Sequence, residues 1–272
     1  MTVQVSDRFV DTNGIRLFVM DRGRGRSLVF LHGLGWDHTL WRGVTQAFSD
    51  RYRVIAGDTR GHGRSVKPDG PYTIPLFAQD WAGALKNLRV QQACLIGFSQ
   101  GGMIAQTLAI EHPEVVAALV LVSTSCRSDP AAHDKLEERI RVARAEGPVA
   151  SARLAAGSVF SKAFMQAQPD AIEEFVRWRA GMDQEPLVHA TRAAYGFDVS
   201  ARLAAIQAPT LIMYGDEDVL TPPAVVKNVA AHIPGAELIG ISGAGHMIPV
   251  EKAGEFEVVL DTFLKKHYAP SL

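Results

Sequence analysis

The sequence predicts an α/β fold built around a largely parallel sheet. Short apolar runs rich in Val, Ile and Leu recur along the chain, each bounded by Gly, Asp or Ser, with helical patterns between them. Their hydrophobicity is continuous and does not alternate, which is typical of strands that are covered on both faces. The alternation of strand and helix favours right-handed crossovers within one sheet.

The strands are predicted in chain order as a hairpin followed by separate buried runs. An Asn13-Gly14 turn lies between two strand-like runs over residues 8–20, which is a strong hairpin signal. The helical pattern at 104–111 is stopped by Pro113. The buried runs are 27–31, 52–58, 93–97, 117–122, 210–214 and 236–241.

The alternation breaks from about residue 126 to residue 203. This stretch contains amphipathic patterns rich in Ala, Arg and Glu, such as 133–146 and 170–179, and no clear strand. We interpret it as a helical insertion between two strands of one sheet. Residues 1–125 and 204–272 are then predicted to form one core domain.

Composition excludes several functional classes. The 272 residues carry 28 Lys+Arg against 29 Asp+Glu, a net charge of -1, so the electrostatic basis for nucleic-acid binding is missing. Two cysteines cannot form a disulfide framework and show no metal spacing, which favours a cytoplasmic protein. No signal peptide and no apolar run of about 18–20 residues is visible, so we expect a soluble protein without a membrane partner.

A possible nucleophile lies in Gly97-Phe98-Ser99-Gln100-Gly101, which fits the pattern G-x-S-x-G between a strand and a helix. In a sharp turn of this kind, a Cβ at Gly97 or Gly101 would collide with neighbouring backbone. The turn would expose the Ser99 hydroxyl at a helix N-terminus, where the helix dipole favours developing negative charge.

A serine nucleophile requires a base, and His246 is the best candidate among nine histidines. It lies in a glycine-rich loop after a predicted strand, where it can face the end of a neighbouring strand. His32 and His62 have glycine neighbours and precede the serine. We interpret both as structural residues of turns, with imidazoles that form hydrogen bonds to the backbone.

The orienting acid falls in the loop after the strand at 210–214, where Asp216, Glu217 and Asp218 crowd together. Any of the three could be an ordinary solvated loop charge. The order serine, acid, histidine is nevertheless that of one known catalytic arrangement.

Four separated motifs make the sequence resemble the α/β-hydrolase fold enzymes. They are residues 32–35 (HGLG), 58–65 (DTRGHGRS), 97–102 (GFSQGG), and the pair 215–218 (GDED) with 243–246 (GAGH). The resemblance implies a mostly parallel eight-stranded sheet flanked by helices, with a helical cap over residues 126–203 inserted after the sixth strand. In this family the acid lies in a D-x-x-T/V-P segment, which Asp218-Val-Leu-Thr-Pro222 matches, and this selects Asp218.

The resemblance also implies the remaining machinery. The backbone N–H groups of Leu34 and Gln100 would form the oxyanion hole, and Trp36 and Met103 are candidates for substrate contact. The implied reaction is hydrolysis of a small or medium ester or lactone through an acyl-enzyme, with no metal and no organic cofactor. Small bacterial esterases and lactonases, including 3-oxoadipate enol-lactonases, are the most similar members.

Other functions share this scaffold and stay open. Cofactor-free haloperoxidases (perhydrolases) and carbon–carbon bond hydrolases use the same three residues. Some hormone receptors built on this fold also retain them, and slow or single-turnover hydrolysis with high ligand affinity would indicate such a receptor. A dianionic substrate would call for surplus positive charge in the cap, but residues 126–205 carry 11 Lys+Arg and 11 Asp+Glu. Arg177, Arg179 and Arg192 are therefore expected at the surface. The oligomeric state also stays open, and a homo-oligomer is compatible with the sequence.

Overall fold

An eight-stranded sheet organises the chain, for which a computed structural model describes residues 5–128 and 130–270. The strand order is β1-β2-β4-β3-β5-β6-β7-β8. The hairpin at Asn13-Gly14 joins β1 to β2, β2 is antiparallel to β4, and every other pairing is parallel. The strands are β1 (Val5–Thr12), β2 (Ile15–Arg22), β3 (Ser27–Leu31), β4 (Arg53–Gly57), β5 (Ala93–Phe98), β6 (Val116–Val122), β7 (Thr210–Gly215) and β8 (Glu237–Ile241).

Helices cover both faces of this sheet. No helix among the described residues is both long enough and apolar enough to cross a membrane. The helices are α1 (Arg42–Phe48), α2 (Ile74–Asn87), α3 (Gln100–Glu111), α4 (Pro130–Glu146), α5 (Pro148–Val159), α6 (Lys162–Ala167), α7 (Pro169–Ala180), α8 (Gln184–Arg192), α9 (Pro223–His232), α10 (Ile248–Glu251) and α11 (Ala253–His267).

Alternate residues of each central strand enter opposite halves of the core, because side chains in a strand point to alternate faces. Val29 and Leu95 belong to the half that packs beneath α2, α3 and α9. Phe30 and Ile96 belong to the other half, which packs beneath α1 and α11. Burial on both faces explains why these strands are continuously apolar, and the fold class predicted from sequence is confirmed.

The helices α4 to α8, called here the inserted helices, lie between β6 and β7. Apolar residues of α5 and α7 join the half of the core on the α1 and α11 side, among them Ala155 and Phe175. The ring of Phe175 lies 5.2 Å from that of Trp36, in the loop after β3. The inserted helices are therefore packed onto the loops at the carboxyl ends of the parallel strands.

Candidate active site

Ser99 lies in the sharp turn between β5 and α3. Its backbone has φ 52° and ψ −118°, a left-handed conformation that residues other than glycine rarely adopt. A Cβ on Gly97 would lie 2.5 Å from the Gly101 carbonyl oxygen, and a Cβ on Gly101 would lie 2.1 Å from that of Leu31. The predicted need for glycine at both positions is confirmed, because backbone occupies the space on each side.

Hydrogen bonds to the neighbouring strand end hold this strained turn. The Ser99 N–H donates to the Val122 carbonyl at 2.9 Å, and the Thr124 hydroxyl donates to the Ser99 carbonyl at 2.7 Å. Both partners lie at the carboxyl end of β6 or just after it. The strained conformation of Ser99 is thus held by hydrogen bonds to both of its backbone polar groups.

His246 and Asp218 meet Ser99 from two other loops. The His246 Nε2 lies 2.9 Å from Ser99 Oγ, and its Nδ1 lies 2.8 Å from Asp218 Oδ2. His246 and Asp218 are buried, at 2% and 3% exposure. Three residues that are far apart in sequence therefore form one hydrogen-bonded series, in the order acid, imidazole, hydroxyl.

The Asp218 carboxylate also accepts hydrogen bonds from the loop that follows it. Its Oδ1 accepts the N–H groups of Leu220 at 2.8 Å and Thr221 at 2.9 Å, and its Oδ2 accepts the Thr221 hydroxyl at 2.6 Å. Burial alone would raise the pKa of Asp218, but the His246 charge and the donors from Thr221 outweigh it and hold that pKa below its ordinary value. The carboxylate is consequently ionised and fixed in orientation beside the imidazole.

Asp216 has a different task, although it is only two residues away. It is exposed, and its carboxylate accepts the Gly243 N–H at 2.7 Å and the Ser242 hydroxyl at 3.1 Å. Asp216 therefore stabilises the loop that leads to His246 and does not touch the imidazole. Glu217 is also exposed.

His32 and His62 are engaged by backbone groups, as expected for turn residues. His32 Nε2 accepts the Thr59 N–H at 3.0 Å, and His62 Nε2 accepts the Gly35 N–H at 3.2 Å. Burial, reinforced by the neighbouring His32, lowers the pKa of His62 to about 3. Both imidazoles are therefore neutral hydrogen-bonding elements of the loops beside the site.

Glu251 stabilises the loop that contains His246, a role that the sequence did not predict. Its Oε2 accepts the N–H groups of Gly245 at 3.2 Å and Ser161 at 3.0 Å, and its Oε1 accepts that of Met247 at 3.2 Å. Glu251 thus ties both neighbours of His246 to the residue that precedes α6. A single glutamate within a helical pattern carries no sequence signal for this role.

The amides expected to form an oxyanion hole flank Ser99. Gln100 begins α3 directly after Ser99, and Leu34 lies in the turn after β3. Gly33 of that turn approaches closely, since a Cβ on it would lie 3.1 Å from Ser99 Cβ. Within the described part of the chain, neither the Leu34 nor the Gln100 backbone N–H has a protein acceptor, whereas the Gln100 side-chain amide donates to the Ala190 carbonyl at 2.7 Å.

A cavity opens above Ser99 and beneath the inserted helices. About 90 Å³ is available to the centres of water-sized molecules, several times the roughly 10–15 Å³ that a single water needs. Ser99, His246, Trp36 and Met103 lie on its wall. Trp41 is instead fully buried in the core against Phe30, with the rings 5.1 Å apart.

Three arginines and no Asp or Glu are found among the described residues that line this cavity. They are Arg127, Arg139 and Arg179. The expectation that Arg179 is a surface residue is wrong, because it is only 7% exposed and lies on the buried face of α7. Arg177 is exposed, and Arg192 is half-exposed in an ion pair with Glu137.

One cluster with metal-ligating side chains occurs among the described residues, outside the cavity. Asp37, His38 and Asp58 bring their ligand atoms within 4.8 Å of one another. The Asp58 carboxylate already accepts the backbone N–H groups of His38 and Arg64, each at 2.7 Å. The cluster therefore fixes the loop after β4 through hydrogen bonds and ion pairing.

Comparison with known proteins identifies the family to which the chain belongs. Residues 28–258 match the model of the alpha/beta hydrolase family. The chain is 30% identical over 240 residues to 3-oxoadipate enol-lactonase 2 of Acinetobacter baylyi, covering 88% of this chain and 89% of that protein.

Two of the solved structures that resemble this chain cover 95% and 97% of it. The enol-lactonase from Burkholderia xenovorans LB400 superposes with a TM-score of 0.89 at 28% identity, covering 95% of this chain and 100% of the other. A malate-bound thermophilic esterase from Thermogutta terrifontis gives 0.88 at 27% identity, covering 97% and 100%. The resemblance stated from sequence is confirmed, and this chain is a hydrolase that belongs to the alpha/beta hydrolase family.

Proposed function

We propose that this protein is a serine hydrolase that cleaves carboxylic esters or lactones through an acyl-enzyme. The observation that carries the proposal is the hydrogen-bonded series from Asp218 through His246 to Ser99, at 2.8 and 2.9 Å. Such a series supplies a nucleophile, its base and a group that orients the base. The wall of the adjoining cavity includes Ser99 and His246, so a substrate carbonyl can reach them.

In the first half-reaction Ser99 Oγ attacks the carbonyl carbon while His246 Nε2 takes the hydroxyl proton. Asp218 stabilises the resulting imidazolium and holds the tautomer with its proton on Nδ1. The amides of Leu34 and Gln100 donate to the developing oxyanion, where one donor is typically worth about 2.7–4 kcal/mol. Collapse breaks the ester C–O bond, and the leaving alkoxide receives the proton from His246.

In the second half-reaction a water molecule replaces the alcohol. His246 removes a proton from the water as its oxygen attacks the acyl carbon, and collapse returns that proton to Ser99. The products are a carboxylic acid and the free enzyme. A lactone follows the same steps, with the alcohol remaining attached to the acid that is released.

The size of the cavity and the names of the related proteins support a small ester or lactone as the substrate. The names of two of these proteins specify enol-lactonases and that of a third an esterase. In this proposal residues 126–203 form a cap over a core of residues 1–125 and 204–272, and Trp36 and Met103 contact the substrate. The ring of Trp36 lies 4.8 Å from that of Trp178 of the inserted helices, tilted by 34°, which suits a wall formed jointly by core and cap.

The test is hydrolysis of p-nitrophenyl esters from acetate to octanoate, and of a simple lactone, by wild type and Ser99→Ala. We expect repeated turnover by wild type and a loss on the order of 10⁴–10⁶-fold in the variant. Ser158→Ala is the matched control, because Ser158 does not line the cavity and its half-buried side chain donates to the Leu154 carbonyl. Turnover that survives Ser99→Ala would refute the proposed nucleophile.

A further inference from the structure

Among the described residues, two arginines of the cavity wall are buried and have no carboxylate partner. Arg139 of α4 is 6% exposed, and Arg179 of α7 is 7% exposed. The ion pairs found within the inserted helices, such as Arg153 with Glu173, are exposed, and they do not include Arg139 or Arg179. Lysine and arginine are almost never fully buried unless they are paired.

The hydrogen-bonding groups of Arg139 are largely unused within the described part of the chain. Its Nε and Nη2 are buried and have no acceptor. A buried donor without a partner is strongly unfavourable, and native proteins show few of them. Such a group in a cavity wall is available to a ligand that brings its own acceptor.

Arg179 connects this feature to the reacting centre. Its Nη1 donates to the Gly35 carbonyl at 3.1 Å, in the same turn as Leu34. Gly35 has φ +66°, and a Cβ there would lie 2.0 Å from that Nη1, so the guanidinium packs directly on this turn. One end of the arginine is thereby fixed beside the proposed oxyanion hole, within the cavity that contains Ser99.

The arginines of the cavity wall make it positively charged. Burial lowers the pKa of Arg139 to about 10, and burial together with the charge of Arg139 lowers the pKa of Arg179 to about 9. Both remain guanidinium ions at neutral pH. Arg127 adds a third positive charge to the same wall, which contains no acidic side chain among the described residues.

We propose that Arg139 and Arg179 form a subsite for a carboxylate carried by the acyl or lactone portion of the substrate. The inference rests on the proposed ester or lactone hydrolysis and names its substrate class, a small ester or lactone with a free acid group. The planar guanidinium fork matches the two oxygens of a carboxylate and binds them in a bidentate manner. The confined volume favours a short spacer between the acid and the scissile carbonyl.

The experiment compares mono-p-nitrophenyl glutarate with p-nitrophenyl pentanoate, which has an acyl chain of the same carbon number and no carboxylate. We expect wild type to favour the acid substrate in kcat/KM by at least about tenfold. Arg139→Met and Arg179→Met should each reduce the ratio of acid to neutral substrate by about 10- to 100-fold. Arg177→Met is the matched control on the exposed side of α7, and it should leave the ratio unchanged.

A binding measurement separates this inference from the proposed function. Glutarate should raise the melting temperature of wild type and of Arg177→Met, while 1,5-pentanediol should not, and Arg139→Met should lose the effect. This result stands even if neither ester is hydrolysed, in which case the proposed function fails and the subsite does not. Arg139→Lys keeps the charge without the fork, so it should weaken glutarate binding and serves if the methionine variant does not fold.

Three results would overturn the subsite. Wild type could show no preference for the acid ester, glutarate could fail to raise its melting temperature, or the ratio could be the same in Arg139→Met as in wild type. A purely structural role predicts that Arg139→Met lowers the melting temperature with an unchanged ratio. The subsite predicts a changed ratio and a melting temperature at or above that of wild type, because an unpaired buried charge is removed.

Discussion

The hydrogen bonds around Asp218 allow the consequence of Asp218→Asn to be worked out atom by atom. Oδ1 accepts two backbone N–H groups, from Leu220 at 2.8 Å and Thr221 at 2.9 Å. An NH₂ group in that position would face two other donors, so the asparagine carbonyl oxygen must occupy it. The NH₂ group then takes the place of Oδ2, which is 2.8 Å from His246 Nδ1.

This orientation forces the wrong tautomer on the histidine. An NH₂ group only donates, so His246 Nδ1 must accept and the ring proton must move to Nε2. Nε2 is the atom 2.9 Å from Ser99 Oγ, and once protonated it cannot take the serine proton. We expect kcat to fall on the order of 10⁴-fold, as in the corresponding serine-protease variant, or about 5.4 kcal/mol in activation free energy.

The assay is steady-state hydrolysis of p-nitrophenyl butyrate by wild type, Asp218→Asn and Asp216→Asn. The Asp216 variant is the matched control, because the hydrogen bonds to its carboxylate from described residues come from Ser242 and Gly243 in an exposed loop and not from His246. It should retain kcat within about threefold. A kcat for Asp218→Asn above one-tenth of wild type, or an equal loss in Asp216→Asn, would refute this assignment of the acid.

Further predictions concern stability and loop support. Burial opposes protonation of His38, but its hydrogen bond and ion pair with Asp58 raise its pKa. The pairing therefore contributes to the free energy of unfolding below the unfolded pKa of about 6.5, and this contribution is lost as the pH rises through the folded pKa. The difference in unfolding free energy between wild type and His38→Gln, from urea titrations, should therefore shrink as the pH rises above about 6.5. Glu251→Gln should lower the free energy of unfolding by about 1–3 kcal/mol and kcat on the order of tenfold, since it disturbs the loop that carries the base. Gly101→Ala should prevent folding, as judged by circular dichroism, because its Cβ would lie 2.1 Å from a carbonyl oxygen.

Each of these predictions has an outcome that contradicts it. A constant difference for His38→Gln across the pH range would show that its pairing with Asp58 does not affect stability. Glu251→Gln with unchanged kcat and melting temperature would remove its role in positioning the loop. Gly157→Ala is the control for Gly101, because nothing lies within 4 Å of its added Cβ within α5, and it should stabilise by about 0.5–1 kcal/mol. A folded Gly101→Ala enzyme would contradict the steric argument.

The sheet could be predicted because its signal is local. Strands covered on both faces must be apolar throughout, and the runs ending at Leu31 and Gly97 show this without reference to their partners. The turn at Ser99 also has a local signature, since its glycines avoid collisions with backbone. The proximity of Asp218 and His246 then follows from placing loops after neighbouring strands.

The cavity wall could not be predicted in the same way. Residues 126–205 have balanced charge, so their sum conceals the three arginines that face one cavity. An amphipathic pattern identifies the polar face of a helix but not the surface on which that face packs. For Arg139 and Arg179 this surface is a buried cavity, whereas for Arg177 it is solvent.

The end of α5 imposes a constraint on protein engineering. The Val159 carbonyl accepts the N–H groups of both His246, at 3.0 Å, and Met247, at 3.1 Å. The backbone of His246, the proposed base, is therefore anchored on the inserted helices as well as on the sheet. Exchange of these helices between related enzymes would dislocate the imidazole unless residues 159–161 and 245–251 were transferred together. Recombination designs for this scaffold should accordingly treat these two segments, which are distant in sequence, as one inherited block.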